Sequence, residues 1–168
     1  MRNAKGFTLV EILIVVVLLG VLAAIVIPAV ANCTTSARET TLTTNLNLLR
    51  RFVMVYTSQH KEVAPGYPDG QTNVTPTDEA FRNQALLSSN GDGQTAPRGT
   101  SGYGWGPYLS KMPANPFNKL DTVRMLGAGE SFPAAADGGF GWICQPQSGE
   151  IRPDNTGSDL FGKAYYDY

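Results

Sequence analysis

A chain of 168 residues, with 13 lysines and arginines against 14 aspartates and glutamates, has the length of one ordinary domain and a formal charge of −1. The charge is unevenly placed: from Lys61 onward eight basic residues stand against twelve acidic ones, and because phosphate neutralisation needs a basic face, so acidic a body argues against nucleic acid as its partner. Two cysteines are too few for a disulfide framework, although one bridge between Cys33 and Cys144 is open to a body outside the cytoplasm.

Residues 1–6 form a short leader carrying Arg2 and Lys5, too short for a secretory signal peptide. Residues 7–31 then run almost wholly apolar. At 1.5 Å per residue this is roughly 37 Å of helix, enough to span a bilayer with tilt. Basic residues flank only its N-terminal side, which places the N-terminus in the cytoplasm and the body on the far side. An ordinary single-pass anchor explains that much. It does not explain Glu11, a carboxylate inside hydrocarbon at a cost of roughly 2.5–3.5 kcal/mol unless it finds a partner. Gly20 and Pro28 weaken the same helix, the first by propensity and the second by removing an intrahelical bond, and mark a kink or loosened stretch between them.

Past Asn32 the composition turns polar but the helical period continues to about residue 61. Leu42, Leu46, Leu49, Val53 and Tyr56 are spaced 4, 3, 4 and 3, one apolar stripe. Threonine and asparagine are common around it, so this half needs a packing partner, and a sheet from the rest of the chain is the natural one. Val63–Pro68 ends the helix. His60, the only histidine, belongs there as a helix-end group; no nucleophile or carboxylate constellation accompanies it.

Residues 62–168 read as a loop-rich α+β body. Thr77 caps a short helix from Asp78 to about Leu87, with Phe81 and Ala85 facing inward. A polar loop follows to Gly102; its Asn90 and Asp92 lack the run of oxygen ligands of a calcium loop. Tyr103–Leu109 is aromatic and suits packing against the helical stripe. Lys111–Asn118, with two prolines, crosses the body in extended form. Strands are expected at 122–126 and 140–145, the latter forming a hairpin with Glu150–Arg152 through the turn Pro146–Gly149, in a small antiparallel sheet. Asp154, Asn155 and Asp159 offer oxygen ligands for Ca²⁺; no other cofactor is expected. The aromatic end, Lys163–Tyr168, should dock on the body. No serine-hydrolase elbow, metal-spaced His/Cys cluster or phosphate-binding glycine loop occurs, so no enzyme is expected.

Gly6-Phe7-Thr8-Leu9-Val10-Glu11, followed by the long apolar helix with Pro28, resembles the processing motif of type IV pilins and of the pseudopilins of type II secretion. The resemblance implies a pilin-like fold, cleavage by a membrane prepilin peptidase after Gly6, and N-methylation of Phe7. It further implies that Glu11 pairs with the N-terminal amine of a neighbouring subunit during assembly into a helical filament. Gly106-Pro107-Tyr108-Leu109, Pro113 and Asn115-Pro116-Phe117 are similar to the stretch before the sheet in the major pseudopilin, and the chain lacks the cysteine pair that brackets the C-terminal loop of many fibre-forming pilins. The expected function is therefore a pseudopilus subunit driving type II protein secretion. It would wait in the bacterial inner membrane with its body in the periplasm, and act with an assembly platform and minor pilins. A surface type IV pilin for adhesion or motility, its filament extracellular, is one alternative; a membrane-tethered binding module that never polymerises is another.

Overall fold

A computed structural model describes residues 8–168, apart from the side chains of residues 28, 29, 31 and 32. The chain divides into two units, the first ending at Arg38 and the second running from Glu39 to Tyr168. Helix α1, Leu9–Gln59, crosses that boundary and is helical without interruption through Gly20 and Pro28. Neither residue ends the helix.

In the second unit α1 is held by its apolar stripe. Leu42, Leu46, Leu49, Val53 and Tyr56 are all buried, joined by Phe52. The threonines that lower its propensity turn their hydroxyls back on the helix: Thr43 Oγ1 donates to the Glu39 carbonyl at 3.1 Å, Thr44 Oγ1 to that of Thr40 at 2.8 Å and Thr57 Oγ1 to that of Val53 at 2.8 Å. The helix closes without glycine. Lys61 and Glu62 take left-handed φ values of 56° and 61°, and the Glu62 N–H bonds the Thr57 carbonyl.

Helix α2, Asp78–Leu86, starts at Thr77, whose side chain accepts the Ala80 N–H at 3.1 Å. Phe81 meets Phe52 of α1 edge-on at 5.2 Å. Leu86 and Leu87 are half-buried, whereas Gln84 is buried and organises the surrounding loops. Its Oε1 accepts the Gly66 N–H, and its Nε2 donates to the carbonyls of Tyr67 and Gly93. The expected loop after α2 contains a two-residue antiparallel ribbon, β1 (Ser88–Ser89) with β2 (Thr95–Ala96).

The main sheet has three strands, β3 (Val123–Met125), β4 (Trp142–Gln145) and β5 (Glu150–Pro153), in that order. β4 and β5 form the expected antiparallel hairpin, with Cys144 opposite Ile151. β3, however, runs parallel to β4, Val123 opposite Trp142, so the sheet is mixed and not antiparallel. The cause is the connection: residues 126–141 are long enough for the crossover that a parallel pair requires, whereas a tight turn would have forced the opposite sense.

Both faces of this sheet are covered. Val123, Trp142, Cys144 and Ile151 pack with the α1 stripe, and Ile143 on the other face packs with Leu126, Tyr166, Phe132 and Ala136. Of the aromatic stretch, Tyr108 and Leu109 join the core, but Trp105 stays 42% exposed because its backbone pairs with Ser89 at the edge of the ribbon. Asn115 and Asn118 hold the proline-containing segment against the start of β4, donating to the carbonyls of Gly141 and Phe140 at 3.1 and 2.7 Å.

The disulfide considered between Cys33 and Cys144 is not formed, and both thiols are free. Cys144 is sealed completely inside the core of the body, where burial pushes its pKa up to about 12, whereas Cys33 is exposed on α1. A buried neutral thiol is no partner for an exposed one.

Candidate functional site

Gly6 and Phe7, the residues expected at the cleavage and methylation site, lie outside the described residues. The description begins at Thr8, and its first feature is a reciprocal cap. The Thr8 N–H and hydroxyl both donate to Glu11 Oε2 at 2.8 Å, and the Glu11 N–H reaches back to Thr8 Oγ1 at 3.2 Å. This is the capping box of a Thr-x-x-Glu sequence ahead of an apolar run, and it satisfies donors that a helix start leaves without partners. The charge of Glu11 drew the sequence reading; its spacing from Thr8, equally legible, carries this second role.

Beyond the cap, α1 presents a surface that stays exposed among the described residues. Leu9–Ile27 has a mean hydropathy of 3.2 and is long and apolar enough to cross a membrane. Sixteen large apolar side chains between Leu9 and Val30 are at least half exposed, whereas the stripe from Leu42 to Tyr56 is at most 3% exposed. At about 1.5–3 kcal/mol per buried side chain, the unsatisfied burial amounts to tens of kcal/mol. So large an apolar surface marks an interaction site. Around Gly20, a methyl group would meet nothing within 4 Å, so nothing within the chain itself requires a glycine there.

The residues proposed for Ca²⁺ have other partners. Asp154 is fully buried, and its carboxylate accepts the N–H groups of Asp137, Gly138 and Phe140 at 3.0, 3.1 and 2.9 Å. Asp159 accepts the N–H groups of Phe161 and Lys163 on one oxygen and the Tyr168 hydroxyl on the other. Asn155 Nδ2 donates to the Thr156 carbonyl. Among the described residues no group of three or more His, Cys, Asp or Glu side chains could hold a metal. Asp154 works here as an anion that folds a loop onto itself.

His60 is likewise built into the structure. Nδ1 donates to the Tyr56 carbonyl at 2.8 Å, since a carbonyl can only accept, which leaves Nε2 to accept the Ser89 hydroxyl at 2.9 Å. The ring stacks on Tyr56 at 3.7 Å, and burial lowers its pKa. The clefts of the body offer little uncommitted chemistry. One of about 670 Å³ beside β4 and β5 is lined by Arg152, whose guanidinium is bonded to Glu150 and lies 4.4 Å from the Phe132 ring.

Comparison with known proteins points to the same end of the chain. Residues 1–27 match the prokaryotic N-terminal methylation motif. Over 56 residues the chain is 45% identical to the type IV wide pilus major component of Thermus thermophilus, covering 33% of this chain and 43% of that protein. It is 31% identical over 100 residues to a fimbrial protein of Pseudomonas aeruginosa, 55% of this chain and 65% of the other. It is also 29% identical over 116 residues to the type II secretion system core protein G of Pseudomonas aeruginosa, 69% and 70% of the two chains. The matched region thus spans less than two thirds of the length of the first two relatives. No solved structure matches the chain significantly.

Proposed function

We propose that this chain, a type IV pilin-like protein related to the pseudopilins, is a subunit cleaved after Gly6, methylated at Phe7 and polymerised through α1. The observation that carries the reading is the apolar segment Leu9–Ile27, wholly exposed on a chain whose body is well packed. Lipid covers that surface before assembly, and the helices of other copies cover it afterwards. On this reading the N-terminus is cytoplasmic and the body periplasmic, with the prepilin peptidase, an inner-membrane platform and minor pilins as partners.

Glu11 has two tasks here. Both Thr8 donors go to Oε2, and a carboxylate has a second oxygen for the ammonium group of a neighbour's Phe7. That pair would set the stagger between subunits, and removing one member of a buried pair costs about 3–5 kcal/mol. Glu11→Gln separates the tasks, because glutamine also serves at that position of a capping box but carries no charge. The variant is expected to insert and be processed yet yield no filaments. Normal filaments from it would reduce Glu11 to a cap.

A pseudopilus of type II secretion is the favoured assembly, supported by a match to core protein G that covers most of both chains. The surface-fibre reading has its own support, the 45% identity to a wide-pilus component over a third of the chain. Protein secretion against surface piliation in a deletion strain distinguishes them: loss of secretion with fibres intact supports the first, and the reverse supports the second.

A further inference from the structure

Two small clefts of the body, unlike the rest of it, keep carboxylates uncommitted. They flank a ridge made by two Asp-Gly dipeptides, Asp69-Gly70 and Asp92-Gly93, and share Asp69 and Gly93 as lining. The two glycines hold φ values of 70° and 83°, and a Cβ on Gly70 would collide with the Asp92 carbonyl, so the loops meet backbone to backbone. The first cleft, about 250 Å³, is bordered by Thr77, Glu79 and Asn83 of the α2 segment. The second, about 230 Å³, lies at the C-terminal end of α1 among Tyr56, Lys61 and Asp92.

The electrostatics favour a cation. Asp69 and Glu79 are exposed, and among the described residues neither carboxylate meets a hydrogen-bond donor or a positive charge. Asp92 already holds an ammonium group, that of Lys61, in a pair so exposed that a competing cation displaces it at little cost. The negative end of the α1 dipole adds to the same preference. A second observation is independent of these charges. The Tyr56 side chain lines the second cleft and is only 1% exposed, and its hydroxyl has no hydrogen-bond partner. Gln84 lies close by, but both hydrogens of its Nε2 go to the carbonyls of Tyr67 and Gly93. The hydroxyl reaches the ridge itself, since a Cβ on Gly93 would stand 3.0 Å from it. A buried hydroxyl left alone is costly and calls for a group that pairs with it.

The same features select among cations. A metal ion needs converging ligands, and among the described residues no three His, Cys, Asp or Glu side chains converge. Each cleft is smaller than the roughly 300 Å³ at which drug-sized pockets begin, which leaves room for an ammonium head and a few methylenes. Carboxylates spaced along two adjoining clefts, with Pro68, Ala80 and Val63 as apolar lining, match a flexible chain with an ammonium group at each end.

We propose that these clefts bind a small aliphatic polyamine. One ammonium group is held by Asp69 and Glu79; another takes the place of Lys61 on Asp92 and donates to the Tyr56 hydroxyl. This site is independent of how the N-terminal segment is used. Isothermal titration calorimetry with spermidine, on the full chain in detergent, tests it. Asp69→Asn and Glu79→Gln should each weaken binding about tenfold, through the loss of one charge-assisted hydrogen bond. Asparagine is well tolerated at the left-handed φ of 50° that Asp69 adopts. Asp167→Asn removes the same charge beside a different cleft and should change binding less than about twofold. Tyr56→Phe separates binding from folding: the urea midpoint should stay level or rise, because the lost hydroxyl had no partner, while spermidine binds several-fold more weakly. Magnesium should displace spermidine no better than sodium at matched ionic strength. Failure of spermidine to bind, or unchanged affinity in the Asp69, Glu79 and Tyr56 variants, would overturn the site. An equal loss in Asp167→Asn would reduce it to general attraction by an acidic body, and displacement by magnesium beyond that of sodium would make it a metal site; either result overturns the proposal.

Discussion

Replacing Asp154 with alanine removes the acceptor of three N–H groups at once. The carboxylate is completely buried and bonds Asp137, Gly138 and Phe140 at 2.9–3.1 Å, closing the end of the crossover between β3 and β4. A hydrogen bond to a charged group contributes about 1.5–3 kcal/mol. Asp137 and Phe140 are exposed residues, so water can reach part of what is freed, and the sum falls to about 3–5 kcal/mol for the three together. With a urea dependence of roughly 2 kcal/mol per M, the unfolding midpoint should drop by about 2 M. Trp142, fully buried between the sheet and α1, supplies the fluorescence signal in the full chain held in detergent. Asp154→Asn keeps one acceptor oxygen and should lose about half as much. A midpoint for Asp154→Ala within about 0.3 M of the unaltered chain would refute the account of this loop.

Two further substitutions probe the body. His60 is held neutral by burial, below its ordinary value of 6.5. The unfolded chain therefore binds the extra proton first, and stability declines as pH falls through about 6.5 toward the folded value. The difference in unfolding free energy between the unaltered chain and His60→Gln should shrink from pH 7.5 to 5.5; a constant difference would contradict the neutral, buried assignment. At Gly141 a methyl group would overlap the Leu120 carbonyl, backbone that cannot swing aside. Gly141→Ala should cost about 3 kcal/mol and lower the melting temperature by roughly 10 °C, read by circular dichroism; an unchanged melting temperature would show that the two segments separate freely.

The parts of the fold set by local pattern were readable in advance. The 4-3-4-3 spacing from Leu42 to Tyr56 is the buried stripe, Thr77 caps α2, and the turn at Pro146–Gly149 joins β4 to β5. What depended on distant partners was not. The parallel sense of β3 and β4 is decided by a crossover of small residues with no period of its own. Asp154 looked like a metal ligand because its actual partners are backbone N–H groups 14–17 residues upstream, and backbone groups leave no mark on composition. Glu11 shows a different failure. Its capping partner stands three residues away in plain view, but the cost of a carboxylate in hydrocarbon eclipsed the more local explanation. The cap is observed, and the proposed pairing with a neighbour's amine would use the same side chain.

The central claim is that the N-terminal segment is a processing and assembly signal and not merely an anchor. Mass spectrometry of the protein purified from membranes of a cell that has prepilin peptidase tests this directly. The account predicts a mature chain that begins at Phe7 and carries one methyl group on its amine; a chain that still begins at Met1, unmethylated, would contradict it.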